Sequence, residues 1–303
     1  MAERQGAPAP EALWVSAHVY HQGDPGRLLA HVVDALSDQA PNGVAPDFFF
    51  LHYWDGGPHL RLRVRAADPV AVEGLRQLLS DRVGEYLARN PSDDRLDEES
   101  YARVASELAR REGVHAPALR RPNDSLRFED YHYDAPRFGA AARPAVELHF
   151  VESSRLALTL LRAELSPGHR DYVALSALVL AALVAGGSPD QGEGWRWWGP
   201  DDPEGKWAEA CRGGYRDQKA AITHTIRTLQ AASIGDGPWP STVERVWWTS
   251  ATRLRNGLPD DSAAAARVLD VCAHLLCNRL GLTPSREGYL RYLAAQMVTD
   301  TPL

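Results

Sequence analysis

The chain has 303 residues, of which 44% are hydrophobic and 24% are charged, an ordinary composition for a globular protein of one large or two small domains. Its formal net charge of −7 excludes a protein that binds nucleic acid through overall basicity, so we expect no direct nucleic-acid partner. Three cysteines fit neither a disulfide framework nor a zinc motif, and we predict that they are buried apolar residues and that no metal is bound.

The sequence shows no feature of a membrane or secreted protein. Its N-terminal segment is polar and rich in Ala and Pro, unlike a signal peptide. The longest apolar stretch, residues 172–185, has about 14 residues and is too short to span a bilayer. We therefore expect no membrane association and a cytoplasmic location.

The first half of the chain is predicted to follow a β-α-β-β-α-β order after a flexible tail at residues 1–12. Asp24-Pro25 and Asp68-Pro69 mark helix starts, because Asp caps a helix and Pro suits its first turn. The predicted elements are a strand Leu13–Tyr20, a helix to about Asp38, a hairpin Phe48–Ala66, a helix to about Arg89, a charged insert Pro91–Pro122 containing a helix Glu98–Arg111, and a strand Leu126–Tyr133. This order is typical of the ferredoxin-like, split βαβ arrangement with an antiparallel sheet.

The second half is predicted to be helical. Strands followed by helices indicate an α+β protein, with a sheet half at residues 13–142 and a helical half at residues 143–303 that pack as one domain. Trp195, Trp197 and Trp198 lie in a Gly-rich loop, where packing of the loop is favoured over ligand binding. The predicted helices are Pro144–Ala163, His169–Ala185, Pro203–Ala232, Ser241–Asn256, Ser262–Leu280 and Pro284–Val298.

The hairpin carries the most informative pattern. In its second strand, His59, Arg61, Arg63 and Arg65 alternate with three apolar residues, so the cations share one face of the strand. Guanidinium groups bind carboxylate and phosphate in a bidentate manner, and the pattern favours an anion site. The alternative is the solvated face of an ordinary hairpin.

Two further motifs contain candidate site residues. In residues 131–140, Arg137 lies near Asp134, either as a structural ion pair or as an anion-binding group that Asp134 orients. Near the C-terminus, Asp270, His274 and Asn278 are spaced by four and share one stripe of a helix, so Asp270 could orient the imidazole and raise its pKa. On residues alone, a single helical histidine is more often structural than catalytic.

Taken in order, these motifs resemble a known family. FFFLHYWDGGPHLRLR, then YHYDAPRFGA with VELHFVESS, then HLLCNRLG followed by Glu287, are similar to the C-terminal domain of lantibiotic dehydratases, which also occurs as stand-alone thiopeptide-type bacteriocin biosynthesis proteins. The resemblance covers about Leu13 to Val298. It implies a tailoring enzyme, a lyase that acts on a ribosomally made precursor peptide and uses no metal or organic cofactor.

The resemblance implies two reactions and a set of partners. In one branch, a glutamyl-tRNA-dependent partner dehydratase glutamylates Ser or Thr, and the elimination domain expels glutamate to leave dehydroalanine or dehydrobutyrine. In the other branch, a formal 4+2 cycloaddition of two dehydroalanines makes the pyridine of thiopeptides. A third hypothesis, from another class, is a non-catalytic module that presents the peptide to a partner. The sequence leaves open whether the chain forms a homodimer.

The resemblance also implies residue roles. Arg61, Arg63 and Arg137 would bind the leaving glutamate, and His274 occupies the catalytic histidine position of the family. Three positions depart from the family pattern, because Asp134 replaces a Glu, Arg137-Phe138-Gly139-Ala140 replaces Arg-Tyr-Gly-Gly, and Leu276 replaces a second His. The residues predicted to bind substrate or support the catalytic group are His59, Tyr131, Asp134, Asp270, Asn278 and Glu287.

Overall fold

A computed structural model describes residues 12–112, 119–186 and 205–300 of the chain. The predicted tail, apart from Ala12, lies outside the described residues, as do Trp195, Trp197 and Trp198 of the Gly-rich loop.

The sheet half has the predicted ferredoxin-like topology. Four antiparallel strands lie in the order β2-β3-β1-β4, and helices α1 and α2 follow β1 and β3 along the chain. Asp24 caps α1 as predicted, since its side chain accepts hydrogen bonds from the amides of Gly26 and Arg27. The bounds are β1 Trp14–Tyr20, α1 Pro25–Gln39, β2 Phe48–Tyr53, β3 His59–Arg65, α2 Ala71–Arg89 and β4 Ser125–Glu129.

The predicted end of the last strand is wrong. β4 stops at Glu129, opposite Ser16 of β1, and does not extend to Tyr133. The chain leaves the sheet because the ring of Tyr131 packs edge-on against Phe49, and Asp134 then caps a one-turn helix, α4 (Ala135–Phe138). Gly139 follows with a φ of +81°, a conformation that glycine adopts without strain.

The two faces of the sheet differ in chemistry. The apolar side chains of β1 and β3 are buried in the core that includes α1 and α2. The opposite surface, here called the polar face, carries Ser16, His18 and Tyr20 of β1, His59, Arg61 and Arg63 of β3, and Ser125, Arg127 and Glu129 of β4. Strand alternation therefore places His59, Arg61 and Arg63 on the same surface, whereas His52 of β2, opposite Leu60, lies on the other.

The second half is helical as predicted, and the helix bounds lie within a few residues of expectation. The predicted start of the third helix, Pro203, falls outside the described residues. Helix α6 begins two residues early, at Pro167, because Ser166 caps it by accepting from the amide of His169. The helices are α5 Arg143–Arg162, α6 Pro167–Val184, α7 Lys206–Ser233, α8 Thr242–Asn256, α9 Ser262–Arg279 and α10 Pro284–Asp300.

Side chains from the helical half bind the outer edge of β2. The amide of Phe50 donates to Ser154 Oγ at 3.2 Å, and its carbonyl accepts from Arg279 Nε at 2.9 Å. The side-chain amide of Asn278 pairs with both backbone groups of His52, each at 2.9 Å. These bonds replace a neighbouring strand and fix α9 against the sheet.

The predicted insert contacts the hairpin turn. Its helix, α3 (Glu98–Glu112), buries Tyr101, whose hydroxyl accepts from the amide of Gly56 at 2.8 Å. Arg121, after α3, donates its amide to the carbonyl of Gly56 at 2.7 Å. Gly56 has a φ of +77°, so the turn presents both backbone groups to the insert in a conformation that favours glycine.

Candidate active site

His59 and Arg61 form a fixed pair on the polar face. His59 Nδ1 lies 2.8 Å from the carbonyl of Gly57, to which it donates, and its Nε2 accepts from Arg61 Nε at 3.1 Å. The imidazole is therefore neutral. Burial and the charge of Arg61 lower its pKa to about 4, although the bond to Gly57 acts in the opposite direction. The Arg61 guanidinium stacks on the ring of Tyr53, 3.4 Å from the ring centroid.

His18 belongs to the same site, and the sequence analysis missed it. It lies opposite Arg61 in the β1–β3 register, and its ring stacks on His59 with centroids 5.1 Å apart. Burial and the nearby Arg61 lower its pKa to about 3. The alternation of the first strand was the available signal, since it places His18 on the same side as Ser16 and Tyr20.

Arg63 is a cation between aromatic rings. Its guanidinium carbon lies 5.5 Å from the centroid of Phe49 and 5.6 Å from that of Tyr131. Its Nε is shielded from solvent and has no hydrogen-bond partner among the described residues. The same is true of Ser16 Oγ, in the register position opposite it. Burial, reinforced by Arg61, lowers the pKa of Arg63 to about 10. Within the described part of the chain, neither Arg61 nor Arg63 forms an ion pair with a carboxylate.

Tyr131 is held in place by Glu147 of α5. Glu147 accepts from the Tyr131 hydroxyl, from Trp14 Nε1 at 3.1 Å and from Arg143 Nε at 2.8 Å. Burial, together with the charge of Glu147, raises the pKa of Tyr131, so its hydroxyl stays protonated.

The geometry of Arg137 agrees with a structural ion pair to Asp134, the first of the two interpretations of its sequence pattern. Asp134 accepts from the amide of Arg137 at 3.2 Å and pairs with its Nε at 3.3 Å. Both side chains are about half exposed, at 52% and 46%. No described contact joins Arg137 to Arg61, Arg63 or His274.

His274 is paired with a different carboxylate from the one expected. Its Nδ1 lies 2.8 Å from Oε2 of Glu287, a buried residue of α10 whose Oε1 accepts from Arg291 Nε at 2.8 Å. Asp270 binds Arg291, and the carboxylate found at Nδ1 of His274 is that of Glu287 rather than the expected Asp270. Burial raises the pKa of Glu287, but its bonds to His274 and Arg291 outweigh burial and keep that pKa below its usual value.

The bonds of α9 set the position of His274 relative to the sheet. One turn after His274, Asn278 uses its amide on the backbone of His52, which makes it a positioning residue. His274 is 20% exposed and is therefore not sealed within apolar packing. Its helix lies along the outer edge of β2, and β2 pairs with the strand that carries Arg61.

Arg279, the residue after Asn278, is a buried structural cation that the sequence did not reveal. It is fully buried, its Nη1 donates to Ser153 Oγ at 3.0 Å, and its Nη2 has no hydrogen-bond partner in the described part of the chain. Burial lowers its pKa to about 9. Its bond to the carbonyl of Phe50 shows that this charge helps to hold the edge of β2.

Among the described residues, no cluster of His, Cys, Asp and Glu could hold a metal ion. The helices in that part of the chain are all too short or too polar to cross a membrane.

A sequence profile described as "Lantibiotic biosynthesis dehydratase C-term" matches residues 14–298, and the chain belongs to this family. Membership assigns the chain to the biosynthesis of ribosomally made peptide natural products, as the motifs predicted. A search of curated proteins gave no match.

Solved structures show the same fold. The pyridine synthase TbtD from thiomuracin biosynthesis has a TM-score of 0.74 and 21% identity, over 95% of this chain and 98% of that one. TsrL has a TM-score of 0.61 and 18% identity, over 96% and 95% of the two chains. The tRNA-dependent lantibiotic dehydratase MibB from Microbispora sp. 107891 has a TM-score of 0.52 and 20% identity, over 99% of this chain and 29% of MibB. At these identities the likeness establishes the fold alone.

Proposed function

We propose that this chain eliminates glutamate from glutamylated Ser or Thr of a precursor peptide, leaving dehydroalanine or dehydrobutyrine. The observation that supports this function is the pair of guanidiniums, Arg61 and Arg63, neither of which forms an ion pair with a described carboxylate. Cations that are partly removed from water are costly without an anion, and a site of this kind is suited to a ligand that brings one. The leaving glutamate carries carboxylates.

The reaction needs a proton acceptor and a place for developing charge. Removal of the Cα proton gives an enolate, the Cβ–O bond breaks, and the γ-carboxylate of glutamate leaves as an anion. The carboxylate of Glu287 accepts from Nδ1 of His274, and in this arrangement a neutral imidazole would use the lone pair of Nε2 to accept the proton. Arg61 and Arg63 would bind the departing glutamate electrostatically.

The proposed partners are the precursor peptide and a glutamyl-tRNA-dependent dehydratase that glutamylates it. This assignment follows the family resemblance, and the chain's own contribution would begin with the glutamylated peptide. The acidic net charge of −7 agrees with a protein that leaves tRNA binding to its partner.

Mass spectrometry of a co-expressed precursor and partner dehydratase tests the proposal. With the wild-type chain, we expect loss of water at Ser and Thr. With His274→Ala, we expect peptides that retain the mass of glutamyl groups, whereas His169→Ala, an exposed histidine of α6, should act like the wild type. Full dehydration by His274→Ala would favour the peptide-presenting module over the lyase.

A second candidate is the pyridine-forming cycloaddition, and the neutral ring surface of the polar face favours it. His18, His59 and Tyr53 surround Arg61 with rings, a lining suited to a flat, unsaturated peptide. The fold is similar to that of the pyridine synthase TbtD, and we therefore propose the same reaction as the alternative for this chain. A substrate that already contains dehydroalanines would then lose water and leader peptide with no glutamyl intermediate.

A further inference from the structure

The two edges of the sheet differ in whether their outward backbone groups are hydrogen-bonded. The outer edge of β2 is bound by Ser154, Asn278 and Arg279, so its backbone groups are paired. The outer edge of β4 has no such partners, because no hydrogen bond from the described residues reaches its backbone beyond the pairing with β1. An edge of this kind can accept another extended chain.

The alternation of an antiparallel sheet identifies the outward backbone groups of β4. The backbone groups of Phe50 and His52 point away from β3. In an antiparallel sheet only every second residue directs its N–H and C=O groups towards a given neighbouring strand. Following the register from β2 through β3 and β1, the inward pairs of β4 involve Ser125, Arg127 and Glu129. Leu126 and Phe128 therefore direct their N–H and C=O groups outward.

The side chains beside this edge supply charge and apolar surface. Arg127 is exposed and makes no ion pair with a described residue, and it lies opposite His18 on the polar face. On the other face, Leu126 and Phe128 are only partly buried. The guanidinium carbon of Arg76, from α2, lies 5.2 Å from the centroid of the Phe128 ring, and its shielded Nε has no hydrogen-bond partner among the described residues.

We propose that an extended segment of the precursor peptide binds as a fifth strand along β4. The identity of the partner rests on the proposed function, whereas the edge itself does not. Backbone bonds to Leu126 and Phe128 would fix the register, an acidic side chain would meet Arg127, and an apolar one would cover Leu126 and Phe128. An added strand lies about 14 Å from β3 at about 4.8 Å per strand, within reach of the site for a peptide that turns back.

A backbone substitution tests the proposal. Leu126→Pro removes one outward N–H and leaves the pairs with β1 intact, while Leu126→Ala removes only side-chain atoms. The probes are the fluorescein-labelled N-terminal and C-terminal halves of the precursor peptide used in the mass-spectrometry test, without partner or modification. We expect one half to bind the wild type and Leu126→Ala, and to bind Leu126→Pro at least tenfold more weakly.

Hydrogen exchange locates the contact. The bound half should slow exchange at the amides of Leu126 and Phe128 in the wild type, with no change at Phe50, whose amide is already bonded. Equal affinity for Leu126→Pro and wild type, or unchanged exchange at both β4 amides with either half, would overturn the proposal. Because this measurement involves no elimination, its outcome is separate from that of the His274→Ala test.

Discussion

Arg61 and Arg63 are the residues on which the proposed function depends, and their surroundings do not favour stability. A guanidinium that is largely removed from water and lacks a counter-ion costs free energy in the folded protein, and the stacking of Arg61 on Tyr53 offsets only part of that cost. Protein sites that break the usual rules of burial in this way are frequently the sites that bind a ligand.

We predict that Arg63→Met separates stability from activity. Methionine fills the space between Phe49 and Tyr131 without a buried charge, so we expect the free energy of unfolding to rise by about 1 kcal/mol or more while elimination is lost. Urea unfolding and product mass together test this. Arg65→Met is the control, because Arg65 is half exposed in a weak pair with Asp47, and both quantities should change little. Lower stability with retained activity would contradict the prediction.

Glu287 is predicted to hold the imidazole of His274 in its working tautomer. In Glu287→Gln, the amide can accept from or donate to Nδ1, so the ring loses its fixed orientation. We expect turnover to fall on the order of a hundredfold, with glutamylated peptide accumulating. Since the change also removes a partner of buried Arg291, thermal melting must show that the variant is folded at the assay temperature. Unchanged turnover in a folded variant would remove Glu287 from the mechanism.

At the level of elements, the hydrogen bonds between α9 and β2 hold the helix of His274 against the sheet that carries Arg61 and Arg63. Asn278→Ala leaves both backbone groups of His52 without their partner, and we expect a loss of about 2 kcal/mol in unfolding free energy. Turnover should fall further than in Ser154→Ala, which removes one bond from the same edge but not from the helix of His274. Equal turnover in the two variants would show that α9 does not set the geometry of the site.

Local signals in the sequence were sufficient for most elements. Asp24-Pro25 marked the start of α1, and the alternation in His59–Arg65 gave both the strand and the face of its cations. The end of β4 was missed because Tyr131–Tyr133 retains strand-like residues, and only the packing of Tyr131 on Phe49 removes it from the sheet.

The contacts of the site could not be predicted in the same way. Asp270 had the right spacing to meet His274, but the carboxylate that does so comes from α10, thirteen residues later in the chain. His18 and Arg279 were missed because their roles depend on which strands and helices become neighbours. Spacing within one helix predicts a shared face, whereas partners from other elements require the tertiary structure.

For the whole molecule, the neutral histidines predict sensitivity to acid. Burial lowers the pKa of His149 to about 3, and His18 and His59 are lowered in the same direction. The unfolded chain, with histidine pKa near 6.5, then binds more protons than the folded chain below that pH. Stability is therefore complete above about pH 6.5 and falls as the pH drops towards about 4.

Urea unfolding between pH 7 and pH 4.5 measures this dependence. Each such histidine contributes a slope of up to about 1.4 kcal/mol per pH unit. We expect His149→Gln to reduce the slope by up to that amount, whereas His224→Gln, an exposed residue of α7, should leave it unchanged. Identical slopes for all three proteins would show that His149 is not kept neutral by burial.

The attachment of α9 to β2 also bears on how relatives of this chain diverge. Asn278 and Arg279 bond α9 to the edge of β2, while His274, one turn away on the same helix and paired with Glu287, is the residue to which we assign the reaction. In a descendant that abandons catalysis, the histidine is no longer needed for the reaction, whereas replacing Asn278 or Arg279 still costs stability. That contrast provides a simple criterion for separating working enzymes from degenerate copies within the family.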